Sequence, residues 1–335
     1  MSLGVKVKRR CGEQFRKLLV EMDAFDRSRK ISSDESHIYL PVRPLKEQEM
    51  DRLRSVSDFE LIEMGFSLEE QNACPEGLLG FRPSFEVVGD IAIVEDDRAE
   101  QVASALMSCY KSIKTAIAPI SDVEGEFRTR RFRHVAGEKR TITTHKEHGL
   151  RYRVDLEGAY FTPRLGTERL RVAEQVHPSD TVLDMFAGVG PFSLLFAKRG
   201  ARVIAIEKNP VAVKYLKENA LLNKVRNIEV LGGDAADLAL RYESTADHVI
   251  MNLPHSAAQF LIPAMRAAKN GGIVHYYAIA PEESLYRDAS LIERTSEQLG
   301  ISVDVIHQGI VRSYAPKRYN IVIEFKVRKP SNQNH

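Results

Sequence analysis

Cysteine is scarce in this chain: Cys11, Cys74 and Cys109 stand far apart among 335 residues. None belongs to a CxxC pair or to a His/Cys cluster with metal-ligand spacing, so neither a disulfide framework nor a zinc site is expected. The reading is of reduced thiols in a cytoplasmic protein, monomeric and without bound metal. No apolar run approaches the roughly 18 residues that a membrane helix requires. Met1 to Arg10 is basic but lacks the apolar stretch of a signal peptide. Internal repeats and low-complexity blocks are missing, and only residues 329–335 have the texture of a flexible tail. Charge of one sign is not in excess: 48 Lys and Arg against 46 Asp and Glu leave +2, which neither demands nor excludes a polyanionic partner.

Apolar residues make up 43% of the chain, enough for real cores, and the length suggests two or three domains. Residues 1–75 read as a small α/β domain. It has a strand at Val5-Lys6-Val7, a helix from about Glu13 with Phe15, Leu18, Leu19 and Met22 on one face, and a strand at 37–42. Turn residues gather at Asn72-Ala73-Cys74-Pro75-Glu76-Gly77 and mark its boundary. Residues 81–158 read as a sheet-rich, basic α/β domain. Strands are expected at 85–94, 114–118, 125–134, 139–145 and 152–156, with a helix at 97–110. Ala136-Gly137-Glu138 and Glu147-His148-Gly149 read as hairpin turns. Residues 159–328 alternate strands (181–184, 202–207, 228–231, 248–251, 272–277, 302–307, 320–327) with helices near 190–199, 210–222 and 255–269. That alternation implies a mostly parallel, doubly wound sheet. The last two strands lack a helix between them, which fits an antiparallel edge.

The first strand of this third region runs into Asp184-Met185-Phe186-Ala187-Gly188-Val189-Gly190-Pro191-Phe192-Ser193. Gly188 and Gly190 allow a sharp turn and close approach of a ligand. The third glycine of the dinucleotide fingerprint is absent, since Ser193 stands in its place. Asp184 is placed to hold a cation, which favours the ammonium-bearing S-adenosylmethionine over a pyrophosphate. Glu207 at the second strand end suits a ribose diol, with Lys208 beside it. Asp234 in Gly232-Gly233-Asp234-Ala235 suits an adenine amino group, and Asn252-Leu253-Pro254 ends the fourth strand. Each alone has a plain alternative: a turn former, a solvated charge, a common glycine turn. The ordered set points to a methyl-donor pocket, with a nicotinamide-dependent oxidoreductase as the competing reading.

These motifs, together with Tyr160-Phe161-Thr162-Pro163-Arg164-Leu165-Gly166-Thr167-Glu168-Arg169, resemble the archaeal-eukaryotic tRNA (guanine-37) N1-methyltransferases. Glu126-Phe127-Arg128-Thr129-Arg130, Thr144-His145-Lys146-Glu147-His148-Gly149, His275-Tyr276-Tyr277 and Arg312-Ser313-Tyr314-Ala315-Pro316 extend the likeness over nearly the whole chain. The resemblance implies a class I (Rossmann-like) methyltransferase fold, S-adenosylmethionine as donor and tRNA as substrate, with the first domain docking the tRNA body. It implies Glu168 as general base, Arg128 as the cation that stabilises charge on the 6-oxo group, and Asn252 and Pro254 as the cradle of the target base. Tyr160 is expected against base or cofactor, and Arg169, Phe186 and Ala235 at the cofactor.

Guanine nitrogen 1 carries a proton at neutral pH, so its methylation needs a base and a partner for the charge that spreads to the oxygen. In an alternating strand Arg128 and Arg130 would share one face and Arg131 and Arg133 the other. Any of them, with Lys146, could instead contact phosphate, and Glu168 could be a surface ion pair with its arginine neighbours. Phe132 and Tyr152, interleaved with the basic residues of 128–153, suit base stacking. The histidines read as solvated or phosphate-facing, His255 being the one nearest a motif. Two related activities stay open: transfer of the donor's aminocarboxypropyl group in wybutosine formation, and methylation of a tricyclic guanosine derivative. So does an RNA-binding protein with a relic pocket.

Overall fold

The computed structural model describes residues 1–68, 74–123 and 125–330. Contacts divide the chain into two compact units, Met1–Leu78 and Leu79–His335. Of the boundary residues expected at 72–77, Asn72 and Ala73 lie outside the described residues, and Pro75–Leu79 is a short helix.

In the first unit Ser2–Lys8 lies between His37–Pro41 and Glu60–Met64, antiparallel to both, with Ser32–Ser33 at the edge. The helix Gly12–Glu21 presses Phe15 and Leu19 onto Val5, Val7 and Leu40, all fully buried or nearly so. Leu18 and Met22 pack partly buried around that core, so the expected apolar face is the one used. The helix Glu47–Arg54 and the strand Glu60–Met64 carry little apolar periodicity: the helix buries only Leu53, and the strand buries none of its residues.

The second unit opens with a four-stranded sheet, Phe85–Val88, Ile91–Val94, Thr115–Pro119 and Phe132–Gly137 in that order, backed by the helix Ala99–Cys109. The single strand expected at 85–94 is thus a hairpin, turned at Gly89 with φ +60°. The strand expected at 125–134 begins only at Phe132, because residues 125–128 form a turn. Alternation therefore does not set the faces of Arg128 and Arg130. Ala136-Gly137-Glu138 joins no paired strands, whereas Glu147-His148-Gly149 turns a true hairpin, Ile142–Glu147 with Leu150–Asp155. His148 and Gly149 both take positive φ, +49° and +76°, as a two-residue hairpin turn requires.

One face of this hairpin is core. Leu150, Tyr152 and Val154 are buried with Phe192, Phe196 and Leu216. Tyr152, at 0% exposure, is therefore a packing residue and cannot stack on an RNA base. Regions 81–158 and 159–328 lie within one unit.

The remaining sheet has seven strands, numbered here β1 (Thr181–Asp184), β2 (Arg202–Glu207), β3 (Ile228–Gly232), β4 (Ala246–Met251), β5 (Ala268–Pro281), β6 (Ser302–Ala315) and β7 (Arg318–Arg328). Their order is 3-2-1-4-5-7-6. Strands β1 to β5 are parallel, while β7 runs antiparallel to β5 and β6, the antiparallel edge the sequence suggests. Helices α1 (Gly166–Ala173), α2 (Ser193–Lys198), α3 (Pro210–Leu222), α4 (Ala235–Leu238), α5 (Leu261–Ala267) and α6 (Asp288–Gln298) flank it. The two buried clusters on opposite faces of the sheet are those of a doubly wound fold. Lys329 is not frayed: its backbone N–H donates to Asn270 Oδ1, and its ammonium donates to Ser244 Oγ and the Arg266 carbonyl. Residues 331–335 lie outside the described residues.

Candidate functional site

The strand order reverses between β1 and β4, and ligands of open α/β sheets bind at the carboxyl ends beside such a reversal. A cavity opens there. Among the expected site residues it is lined by Phe186, Gly188, Glu207, Lys208, Asp234, Ala235, Asn252 and Pro254, and by Arg128, Tyr160 and Arg169.

The two glycines of the turn do different work. A Cβ on Gly188 would meet nothing nearer than the Tyr160 carbonyl at 3.9 Å, so the backbone here is open to a ligand. A Cβ on Gly190 would come within 2.3 Å of Leu216 Cδ1; Gly190 serves the seating of α3 and does not line the cavity. The Gly188 N–H donates to Glu207 Oε2 and the Asn209 N–H to Oε1, both at 2.7 Å. These bonds fix the carboxylate at the cavity wall with lone pairs to spare for a diol. Burial nonetheless pushes the Glu207 pKa up. Asp234 caps α4 through the Ala236 N–H and accepts from Lys208 at 2.9 Å, which holds its carboxyl below the ordinary value.

Asp184 departs from expectation. It is fully buried beneath the turn, where Ser193 Oγ donates to it at 2.6 Å, and it does not line the cavity. Burial pushes its pKa up to about 6. Its carboxylate ties the turn to α2, accepting from Ser193 Oγ and from the Phe186 N–H, and these bonds turn it away from the cavity. Arg169 is likewise committed: it grips Glu147 with two bonds of 2.8 and 2.9 Å and donates to the Thr162 carbonyl at 2.7 Å. Its Nε is buried and has no hydrogen-bond partner among the described residues.

On the acceptor side, Arg128 sits at φ +53°, a left-handed conformation that a non-glycine residue adopts at some cost. That turn sets its guanidinium 5.7 Å from the ring centre of Tyr160. Asn252-Leu253-Pro254 is pinned by the Ile279 N–H, which donates to the Pro254 carbonyl. His255, Arg312, Tyr314 and Asn320 also line the cavity, beyond the site residues expected from the sequence. The motif Arg312-Ser313-Tyr314-Ala315-Pro316 was the available signal for two of them. Burial and nearby Arg128 depress His255 below the ordinary histidine range. A second cavity shares Arg128, Tyr160, His255, Arg312 and Tyr314 with the first and adds Arg130, Arg164 and Phe132. Arg131 and Lys146 line neither cavity and are exposed.

Glu168 is not in the cavity wall. It lies 8% exposed on α1, held by Arg171 through bonds of 2.7 and 2.8 Å and by the Tyr277 hydroxyl at 2.7 Å. The surface ion pair with Arg164 or Arg169 is thus replaced by a half-buried pair with Arg171.

Sheet order, open glycine turn and ligand-capable strand ends together define a Rossmann-like methyltransferase fold. Comparison with known proteins narrows this. The TRM5/TYW2 methyltransferase domain matches residues 143–305, the tRNA methyltransferase 5 N-terminal domain residues 4–49, and the TYW2 N-terminal domain residues 68–141. The tRNA (guanine(37)-N(1))-methyltransferase Trm5b of Pyrococcus abyssi is 39% identical over 98% of this chain and 99% of its own length. Its crystal structure superposes with a TM-score of 0.73 at 38% identity, covering 98% of this chain and 100% of that one. A complex of aTrm5 with tRNALeu gives a TM-score of 0.68 at 32% identity, covering 97% and 99%. The chain belongs to the TRM5/TYW2 methyltransferase family.

Proposed function

We propose that the chain transfers a methyl group from S-adenosylmethionine to ring nitrogen 1 of guanosine 37 in tRNA. The observation that carries this reading is one cavity whose walls divide by chemistry. Glu207, Asp234 and the open Gly188 backbone form one side. Arg128, Tyr160 and Asn252-Leu253-Pro254 form the other. The first side fits a nucleoside with a 2′,3′-diol and an exocyclic amine, and the donor's sulfonium, held there, supplies an electrophilic methyl group.

The second side fits a purine carrying a carbonyl. Arg128 offers fixed, paired donors to the 6-oxo oxygen, where negative charge gathers as nitrogen 1 loses its proton. Glu168, next in sequence to the wall residue Arg169 but itself outside the wall in this structure, is assigned that proton; the freed electron pair forms the new bond to the methyl carbon, and the bond from carbon to sulfur breaks. A stacked loop nucleotide must leave its stack to reach such a cavity, so the target guanosine is expected to be flipped in. Arg131 and Lys146 meet the phosphates around it, Arg130 stays paired with Glu95 at the wall of the second cavity, and the first unit docks the tRNA body. The enzyme acts in the cytoplasm as a monomer.

The test is incubation with unmodified tRNA bearing guanosine 37 and donor labelled in either the methyl or the carboxyl carbon. Label from the methyl-labelled donor should appear in 1-methylguanosine at position 37. Label from the carboxyl-labelled donor alone would show aminocarboxypropyl transfer instead. Glu168→Gln should lower the single-turnover rate at least a hundredfold, with donor affinity within about twofold of wild type. Undiminished turnover would remove Glu168 as the base.

A further inference from the structure

Behind Glu168 lies a set of buried ionisable groups that the reaction as written does not use. On a solvated helix an acid and an arginine three residues apart attract by only a few tenths of a kilocalorie. Here the pair is braced from a distant strand. Arg171 Nη2 donates to Glu168 Oε1 at 2.7 Å and also to Glu324 Oε1 on β7 at 2.6 Å, so one guanidinium is shared by two carboxylates. Glu324 is 2% exposed and is gripped in turn by His275 Nδ1 at 2.8 Å and by Gln175 at 3.3 Å. His275, itself fully buried, meets His248 Nδ1 at 3.0 Å.

The protonation pattern follows. Burial holds His248 down to about 4, so it is neutral near pH 7. His248 meets His275 Nε2 through Nδ1 and has Asp180 Oδ2 3.5 Å from its Nε2; an ionised Glu324 can only accept, so the proton between it and His275 sits on His275 Nδ1. Burial works against an ionised Glu324, but its bonds from His275 and Arg171 outweigh that and hold the carboxyl well below its usual range. The guanidinium is therefore fixed from behind by an ionised, buried partner.

We propose that Arg171 and Glu324 are positioning residues for the Glu168 base, with Tyr277 completing the clamp, and that Glu168 Oε2 is the atom that takes the proton. This rests on the reading of Glu168 given above. Oε1 accepts from both Tyr277 and Arg171 Nη2, which uses its two lone pairs, whereas Oε2 accepts only from Arg171 Nε. Oε2 alone keeps a lone pair for the incoming proton. Arg171 and Tyr277 bond Glu168 directly and Glu324 reaches it through Arg171, so the three act through Glu168.

The test is single-turnover methylation of tRNA by Arg171→Lys and by the near-isosteric Glu324→Gln, each made in wild-type and Glu168→Gln backgrounds. In the wild-type background Arg171→Lys is expected to lower the rate constant ten- to a hundredfold and Glu324→Gln about tenfold. Donor and tRNA dissociation constants should stay within twofold, which also reports an intact fold. In the Glu168→Gln background neither substitution should lower the residual rate further, because a positioning residue has nothing left to position. Equal losses in both backgrounds, parallel losses of donor affinity, or full activity in both variants would overturn the assignment. If Glu168→Gln itself remains fully active, the base reading fails, and this inference fails with it. If Glu168→Gln is impaired and the other two are not, only the positioning role fails.

Discussion

Asp184 is fully buried beneath the glycine turn, and that burial has a thermodynamic signature. With its pKa raised from 3.8 to about 6, the folded protein holds a proton that the unfolded chain releases. The resulting stability is fully present below about pH 4 and is lost as pH rises through about 6. A shift of this size corresponds to about 3 kcal/mol. Asp184→Asn removes the titration and leaves an acceptor for Ser193 Oγ. Urea unfolding across pH 4 to 7 should therefore show the variant gaining on wild type as pH rises, by about that amount. Parallel stability curves would show that Asp184 keeps its ordinary pKa. Asp184 also shows what the sequence could and could not convey. The glycine turn was legible because its chemistry is local. The direction of the carboxylate was not, because Ser193 reaches it only once α2 has formed. Arg171 and Glu324 were invisible for a stronger reason: 153 residues separate them, and no periodicity links a helix to a strand so far away.

At the scale of elements, the hairpin is joined to the methyltransferase sheet by an unusual seam. Asn219 and Asn223 lie one helical turn apart on and just after α3. Asn219 accepts from the Arg153 N–H at 2.7 Å and donates to the Arg153 carbonyl at 3.0 Å. Asn223 does the same for Arg151 at 2.9 and 2.7 Å. Two side-chain amides thus satisfy the outer edge of the strand Leu150–Asp155, as a neighbouring strand would. The helix was readable near 210–222 from the alternation of strands and helices, and the hairpin from the turn Glu147-His148-Gly149. Their docking was not, since asparagine within a helix otherwise reads as a weak helix former. Asn219→Leu keeps the volume and strands one backbone donor, the Arg153 N–H, and two acceptors, the Arg153 and Val189 carbonyls, each costing about 1–3 kcal/mol. Chemical denaturation should show a loss of at least about 3 kcal/mol. A loss under 1 kcal/mol would mean that water or relaxation replaces the seam.

At the scale of the molecule, a net charge of +2 conceals how the cations are distributed. Several arginines of the basic stretch are already engaged: Arg130 with Glu95 at 2.8 Å, Arg133 with Glu100 at 2.6 Å and Arg140 with Asp90 at 2.7 Å. Among the described residues Arg131 and Lys146 have no such partner. Counting basic residues in the sequence therefore overstates the charge available to phosphate, and the acids that correct it lie more than thirty residues away. Each free cation that meets a phosphate releases a counterion and contributes about 0.7–0.9 to the slope of log affinity against log salt. Arg131→Gln combined with Lys146→Gln should thus weaken tRNA binding at low salt and flatten that slope by about 1.5. Arg133→Gln, which removes a cation already balanced by Glu100, should flatten it by less than about 0.5. Donor affinity should be unaffected in both. Titrations of tRNA between about 50 and 200 mM salt decide the matter. An unchanged slope in the double variant would place the phosphate path elsewhere, and an equal change in Arg133→Gln would mean that its ion pair opens when tRNA binds.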